Sequence, residues 1–129
     1  MANITFYSLS ESLQTVEHGV IAKDEALQVV DKYAAMQIGL EGSAEEMTSK
    51  SLFGFSLDEE RFIEIAMDTD SRFRVKLEMP VLRRILFLRV SLIYQKEITI
   101  NGLERLRDMV SRFFDMSIED FKRYFEENA

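Results

Sequence analysis

From Arg72 to Met79 the chain alternates without interruption, with Phe73, Val75, Leu77 and Met79 apolar and Arg72, Arg74, Lys76 and Glu78 charged. A period of two separates two faces only in an extended strand. Such a strand needs a neighbour, and the segment Arg61–Thr69 just upstream supplies one. If Thr69-Asp70-Ser71 is a three-residue turn, Glu64 falls opposite Lys76, Ala66 opposite Arg74 and Asp68 opposite Arg72. On the other face Ile63 meets Leu77, Ile65 meets Val75 and Met67 meets Phe73. One register thus pairs apolar with apolar and acid with base, each pair contributing about 0.2–1 kcal/mol. A loop one residue shorter or longer would set core-facing residues against solvent-facing ones. An antiparallel hairpin follows, and with it a sheet.

The rest of the chain is read around that hairpin. Leu52–Leu57 is a further strand. Ile85–Tyr94 is apolar nearly throughout and reads as a central strand beyond the break at Pro80, with a buried helix over 81–94 as the alternative. Ile98–Ile100 is short enough for an edge strand. Upstream, Ile4–Tyr7 is extended, and Ser8 with Glu11 makes a capping-box pattern that predicts a helix ending near His18-Gly19. A second helix is expected over Asp24–Ile38, where Ala26, Val30, Tyr33, Ala34 and Gln37 share a face and Gly39 supplies the stop. Two more close the chain. One is opened by Asn101 and Glu104 and carries Leu103, Leu106, Val110, Phe113 and Phe114; the other is opened by Ser117 and Asp120 and carries Ile118, Phe121, Tyr124 and Phe125. The expected fold is α+β: a meander sheet of four to five antiparallel strands, with N-terminal helices and two C-terminal helices. Residues 1–129 form one domain, with 39–50 as a surface loop of linker composition.

Charge and composition narrow the function. The chain carries a net charge of −7, which repels nucleic acid at long range. The charge is uneven: Met1–Asp70 holds 14 acidic and 4 basic residues, Ser71–Ala129 holds 9 and 12. The first part is therefore at −10 and the second at +3. There is no cysteine, which removes disulfides and thiolate chemistry. No stretch reaches the roughly 20 apolar residues of a membrane-spanning helix, and the start MANITFYSLSESLQ has no signal-peptide pattern. The expectation is a cytoplasmic protein that engages neither membrane nor nucleic acid.

No residue pattern assembles a catalytic or metal centre. Asp68 and Asp70 are one residue apart, but a calcium loop begun at Asp68 would place Arg72 at its fifth position and Phe73 at its sixth, where an oxygen ligand and a glycine belong. They are turn residues. His18 is the one histidine, and its sequence neighbour Glu17 points elsewhere on a helix. Asp58-Glu59-Glu60 reads as a solvated turn, and phosphate-binding glycine loops are absent. Of the cations, Arg72, Arg74 and Lys76 have expected partners, which leaves Arg83 and Arg84 as an anion-binding candidate.

By elimination the expected function is non-catalytic: a protein-interaction module of the adaptor, small-chaperone or inhibitor kind, without cofactor or metal. Its acidic first half would steer a basic partner protein toward it, and self-association as a homodimer is compatible with the same surfaces. Glu45 and Glu46 in the acidic loop, and Tyr124 and Phe125 in the aromatic C-terminal helix, are the expected contacts. The alternative is a ligand-sensing regulatory domain with a pocket between sheet and helices.

Overall fold

The computed structural model describes residues 3–10, 12, 14–36, 52–67 and 72–128. Six strands and three helices follow one another: β1 (Thr5–Leu9), β2 (Thr15–Val20), α1 (Lys23–Met36), β3 (Leu52–Ser56), β4 (Phe62–Met67), β5 (Arg72–Ile85), β6 (Leu88–Asn101), α2 (Leu103–Asp115) and α3 (Ile118–Glu127). The strands form one open antiparallel sheet in the order β2-β1-β3-β4-β5-β6. The class is α+β, with six strands instead of the four to five expected.

The β4–β5 register is the one that the alternation dictates. Ile63 pairs with Leu77, Ile65 with Val75 and Met67 with Phe73, while Glu64 pairs with Lys76 and Ala66 with Arg74. The Lys76 ammonium lies 3.2 Å from the Glu64 carboxylate. Asp68 and the turn at 69–71 lie outside the described residues. The apolar parity continues through β3 as Phe53 and Phe55 and through β6 as Ile98 and Ile100, and all of these are buried. Ala26 and Val30 of α1, Leu106, Val110 and Phe113 of α2, and Phe121 and Phe125 of α3 join the same core. Among the described residues all three helices therefore cover one face of the sheet, and none covers the other, open face.

Local chemistry sets the helices. In α3 the Ser117 hydroxyl accepts from the Asp120 N–H, as expected of its cap. The expected cap of α2 is different: Asn101 ends β6, and Gly102 at φ 98° makes the sharp change of direction. α1 matches its expected face at Ala26 and Val30, while Gln37 and Gly39 lie outside the described residues, as does the segment 39–50. It is tied to α2 by the Lys23–Asp115 pair and by Arg107, which reaches both Asp31 and the Leu27 carbonyl.

Two expectations are corrected. The segment after Ser8 is not a helix but the turn and return strand of the β1–β2 hairpin. Here Ser10 uses its hydroxyl to accept from the Gln14 N–H, so a residue type that caps helices serves a tight turn instead. Gly19, expected as a helix stop, sits in β2 at φ 95° beside a shift of register between Phe6 and Tyr7, the signature of a bulge. The second correction concerns 81–94, which is neither a central strand nor a buried helix. Pro80 does not end β5, and the apolar run forms the two legs and the tip of a hairpin whose ladder is continuous from Arg72↔Asn101 to Ile85↔Leu88.

Gly54 shows how closely the open face is built. A Cβ at this position would collide with the Tyr7 ring and with the Ile63 carbonyl oxygen. Because one of those neighbours is backbone, it cannot swing aside. Gly54→Ala is expected to destabilise the fold by more than about 2 kcal/mol, read as a lowered denaturation midpoint; an unchanged midpoint would refute this packing. For Glu64 and Lys76, whose side chains are each 25% exposed, a double-mutant cycle should give a favourable coupling of about 0.5–1 kcal/mol. A coupling of zero or of opposite sign would contradict the pair.

Candidate functional site

β4 leaves the sheet early. Its last partner on β5 is Glu78, whereas β5 and β6 pair on for seven more rungs, from Met79↔Tyr94 to Ile85↔Leu88. Pro80, which has no N–H to offer a further strand, sits just past the point where β4 pairing stops. The result is a two-stranded arm that projects past the end of the sheet. Such a ribbon is marginally stable alone in water, and this one is apolar. Leu82 is 75% exposed, Leu86 86%, Phe87 96%, Leu88 70% and Ile93 75%. Ile85 and Leu92 are also exposed. Single exposed leucines are ordinary, but a contiguous apolar patch of this kind is uncommon on a monomer's surface.

The arm's charge is as distinctive. Between Met79 and Tyr94 there are three arginines and no acid. Arg83, Arg84 and Arg89 are exposed and form no ion pair among the described residues. By strand parity Leu82, Arg84, Arg89 and Ile93 lie on the open face, continuing Lys76 and Glu78, while Val81, Arg83, Ile85, Leu88 and Leu92 continue the helix-covered face. The tip turns through Leu86, at φ 56°. Positive φ at the first central position of a two-residue hairpin turn is where glycine ordinarily sits, and a leucine there is strained.

The base of the arm is braced by α3. The Lys122 ammonium lies 4.6 Å from the Tyr94 ring centre and 2.9 Å from the Glu126 carboxylate. Burial, and next the nearby Glu126 carboxylate, push the Tyr94 hydroxyl up to about 12, so it remains protonated at any ordinary pH. A surface cleft of about 480 Å³ separates Met79–Leu82 from Glu119, Arg123 and Glu126. The arm is fixed at its root and free at its tip.

A second feature lies at the same end of the sheet. Thr5, Ser56, Phe62 and Glu78 pair in succession across β1, β3, β4 and β5, and they form the last rung before the arm departs. On the open face beside that rung is a cleft of about 310 Å³ lined by Tyr7, Phe62, Glu17, Asp58, Glu59 and Glu64, with Thr5, Thr15 and Ser56. Tyr7 packs edge-on against Phe62 at 6.2 Å and is only 8% exposed. Burial, then the charges of Glu64 and Glu78, push its hydroxyl well above the usual tyrosine range. Asp58 is occupied locally. Burial would raise its carboxyl, but the Glu60 and Arg61 N–H groups and the Arg61 guanidinium outweigh that and hold it below its usual value. Glu17 and Glu59 make no ion pair among the described residues. The cleft has an aromatic floor and an acidic rim.

The histidine also finds a partner. His18 Nε2 lies 2.7 Å from the Ser8 hydroxyl, and its ring stacks on Phe6 at 4.6 Å. A hydroxyl hydrogen-bonded to an imidazole has the first element of a nucleophile–base pair, but among the described residues no carboxylate orients the other ring nitrogen. Ser8 is 9% exposed, and its hydroxyl also interacts with the Tyr33 phenol. The contact fastens the bulged β1–β2 hairpin.

Of the residues expected to act, Arg83 and Arg84 stand exposed on the arm. Phe125 is fully buried in the core. Tyr124 is half-buried, donates to Asp108 at 3.2 Å and lies under the Arg112 guanidinium. Glu45 and Glu46 lie outside the described residues. Sequence reasoning missed Leu82, the Ile85–Leu88 tip and Ile93, although the signal was present in an apolar run interrupted by three arginines. Among the described residues no group of acids and histidine could hold a metal ion, and no helix is long and apolar enough to cross a membrane. Compared with protein-family models, curated proteins and solved structures, the chain has no match in any of the three.

The strained tip gives a direct test of the arm's geometry. Leu86→Gly should raise stability by about 0.5–1 kcal/mol, the relief at positive φ exceeding the entropy that glycine adds to the unfolded chain. The readout is a higher urea midpoint at unchanged slope. A lowered midpoint would mean that Leu86 is packed and not free.

Proposed function

We propose that this chain is a non-catalytic protein-interaction module whose contact is made by the β5–β6 arm, with the acidic cleft of the open face as the complementary surface. The observation that carries the reading is the arm itself: six large apolar side chains more than half exposed on a ribbon that, among the described residues, is braced at its root. Burying each would contribute about 1.5–3 kcal/mol. The gross gain, on the order of 10 kcal/mol, is comparable to the roughly 4–15 kcal/mol lost on association. Apolar contact on one arm alone is therefore a weak bond, and the three arginines must meet carboxylates for it to hold. A partner fits that offers an apolar groove rimmed with acids.

The ligand-sensing alternative would use a pocket between sheet and helices; the cleft between Met79–Leu82 and α3 has that position, but it is a surface cleft rimmed by charged side chains. The arm reading also departs from an aromatic contact at the C-terminus, since Phe125 is core.

A photo-crosslinking side chain placed at Phe87 in the native host should yield a covalent adduct with a polypeptide, a second copy of this chain included. The same group at Glu127, exposed on α3, should not. Adducts at Glu127 and none at Phe87 would remove the arm from the function.

A further inference from the structure

The geometry points to a second copy of this chain as the arm's partner, in a two-fold dimer where each arm lies across the acidic cleft of the other protomer. The inference rests on the reading of the arm as a contact surface and names its occupant. Its first support is charge. The arm carries three arginines without ion pairs among the described residues, and the cleft presents Glu17 and Glu59 in the same condition on an aromatic floor of Tyr7 and Phe62. One chain thus holds both halves of a complementary interface.

Placement is the second support. The last rung, Thr5-Ser56-Phe62-Glu78, borders the cleft and is also where the arm leaves the sheet. Leu82, Arg84, Arg89 and Ile93 point to the open face, which is the face the cleft occupies. Arm and cleft therefore share one end and one face of the sheet. Two copies stacked open face to open face about a single axis at that end bring each arm onto the other's cleft, as an isologous contact requires. Within one chain the arm's root borders the acidic loop, with Pro80, Ser91 and Ile93 sharing a surface hollow with Glu59 and Glu60, but among the described residues Arg83, Arg84 and Arg89 form no ion pair with it. Two arms are then buried for one loss of translational and rotational freedom, which resolves the weakness of a single arm. An anionic membrane fits less well: apart from the arm's +3, the remaining chain carries −10 of the −7 total and would be repelled.

The test is a charge exchange between two variants, followed by sedimentation equilibrium of the purified full chain. One variant is Arg84→Glu with Arg89→Glu; the other is Glu17→Lys with Glu59→Lys. Native protein should dimerise, more weakly as salt is raised. Each variant alone should dimerise more than about tenfold less tightly, since like charges would then face one another twice. An equimolar mixture should recover native affinity as a heterodimer, because both contacts are again between opposite charges; that recovery also shows both variants to be folded. A native chain that stays monomeric at about 100 µM, variants that dimerise like the native chain, or a mixture that recovers nothing would each overturn the inference. A monomer in solution together with Phe87 adducts to a different polypeptide leaves the arm as the contact and removes the second copy. Flotation of the native chain with phosphatidylcholine–phosphatidylserine vesicles, without Phe87 adducts to any polypeptide, overturns both.

Discussion

Every distinctive property of this molecule depends on a mismatch of strand lengths. β5 and β6 run for 14 residues each, and β4, the strand that should support them, runs for 6. Over the shared length the sheet is conventional, with an apolar face under helices and a charge-laddered face in water. Past Glu78 the ladder continues without a third strand, and among the described residues nothing covers Leu82, Ile85–Leu88 and Ile93. A β4 extended by several residues would turn the arm into ordinary sheet, and the apolar surface would have no use.

The body tolerates that overhang because its own packing is complete without it. Phe53, Phe55, Phe73, Phe113, Phe121 and Phe125 are all within 1% of full burial, in a core closed by three helices. Of the arm, Met79, Val81 and Tyr94 at its root join this core. Strain at Leu86 is likewise confined to the tip, where it cannot propagate into the packed layers. The separation lets the exposed surface be shaped by association, while folding is secured elsewhere.

How much of this was legible in the sequence follows from which interactions were local. The β4–β5 register could be read residue by residue, because alternation and acid–base pairing constrain one another across a short turn. The C-terminal helices and α1 were legible from periodicity. The β1–β2 hairpin was not: Ser8 and Glu11 satisfy a helix-capping pattern, and the features that overrule it, the pairing of β1 with β3 and the bulge at Gly19, are tertiary. The arm failed for another reason. An apolar run carries no mark of whether it is covered in the folded chain, so Ile85–Tyr94 reads from sequence as a central strand. Pro80 reads as a break, whereas the β5–β6 ladder is continuous through it and it limits pairing on the side that β4 vacates.

The three arginines of the arm separate those two kinds of burial. A central strand could not hold Arg83, which falls on the helix-covered parity, without a buried counter-charge, since an unpaired interior cation costs several kcal/mol. Apolar residues interleaved with cations that make no ion pair among the described residues are the pattern of an exposed surface and not of a strand interior. The excess of carboxylates in the first 70 residues reads differently in that light. Some of it rims the cleft with Glu17 and Glu59, at the end of the sheet from which the arm leaves. In the proposed dimer the opposite charges of the two halves of the sequence would meet across one contact.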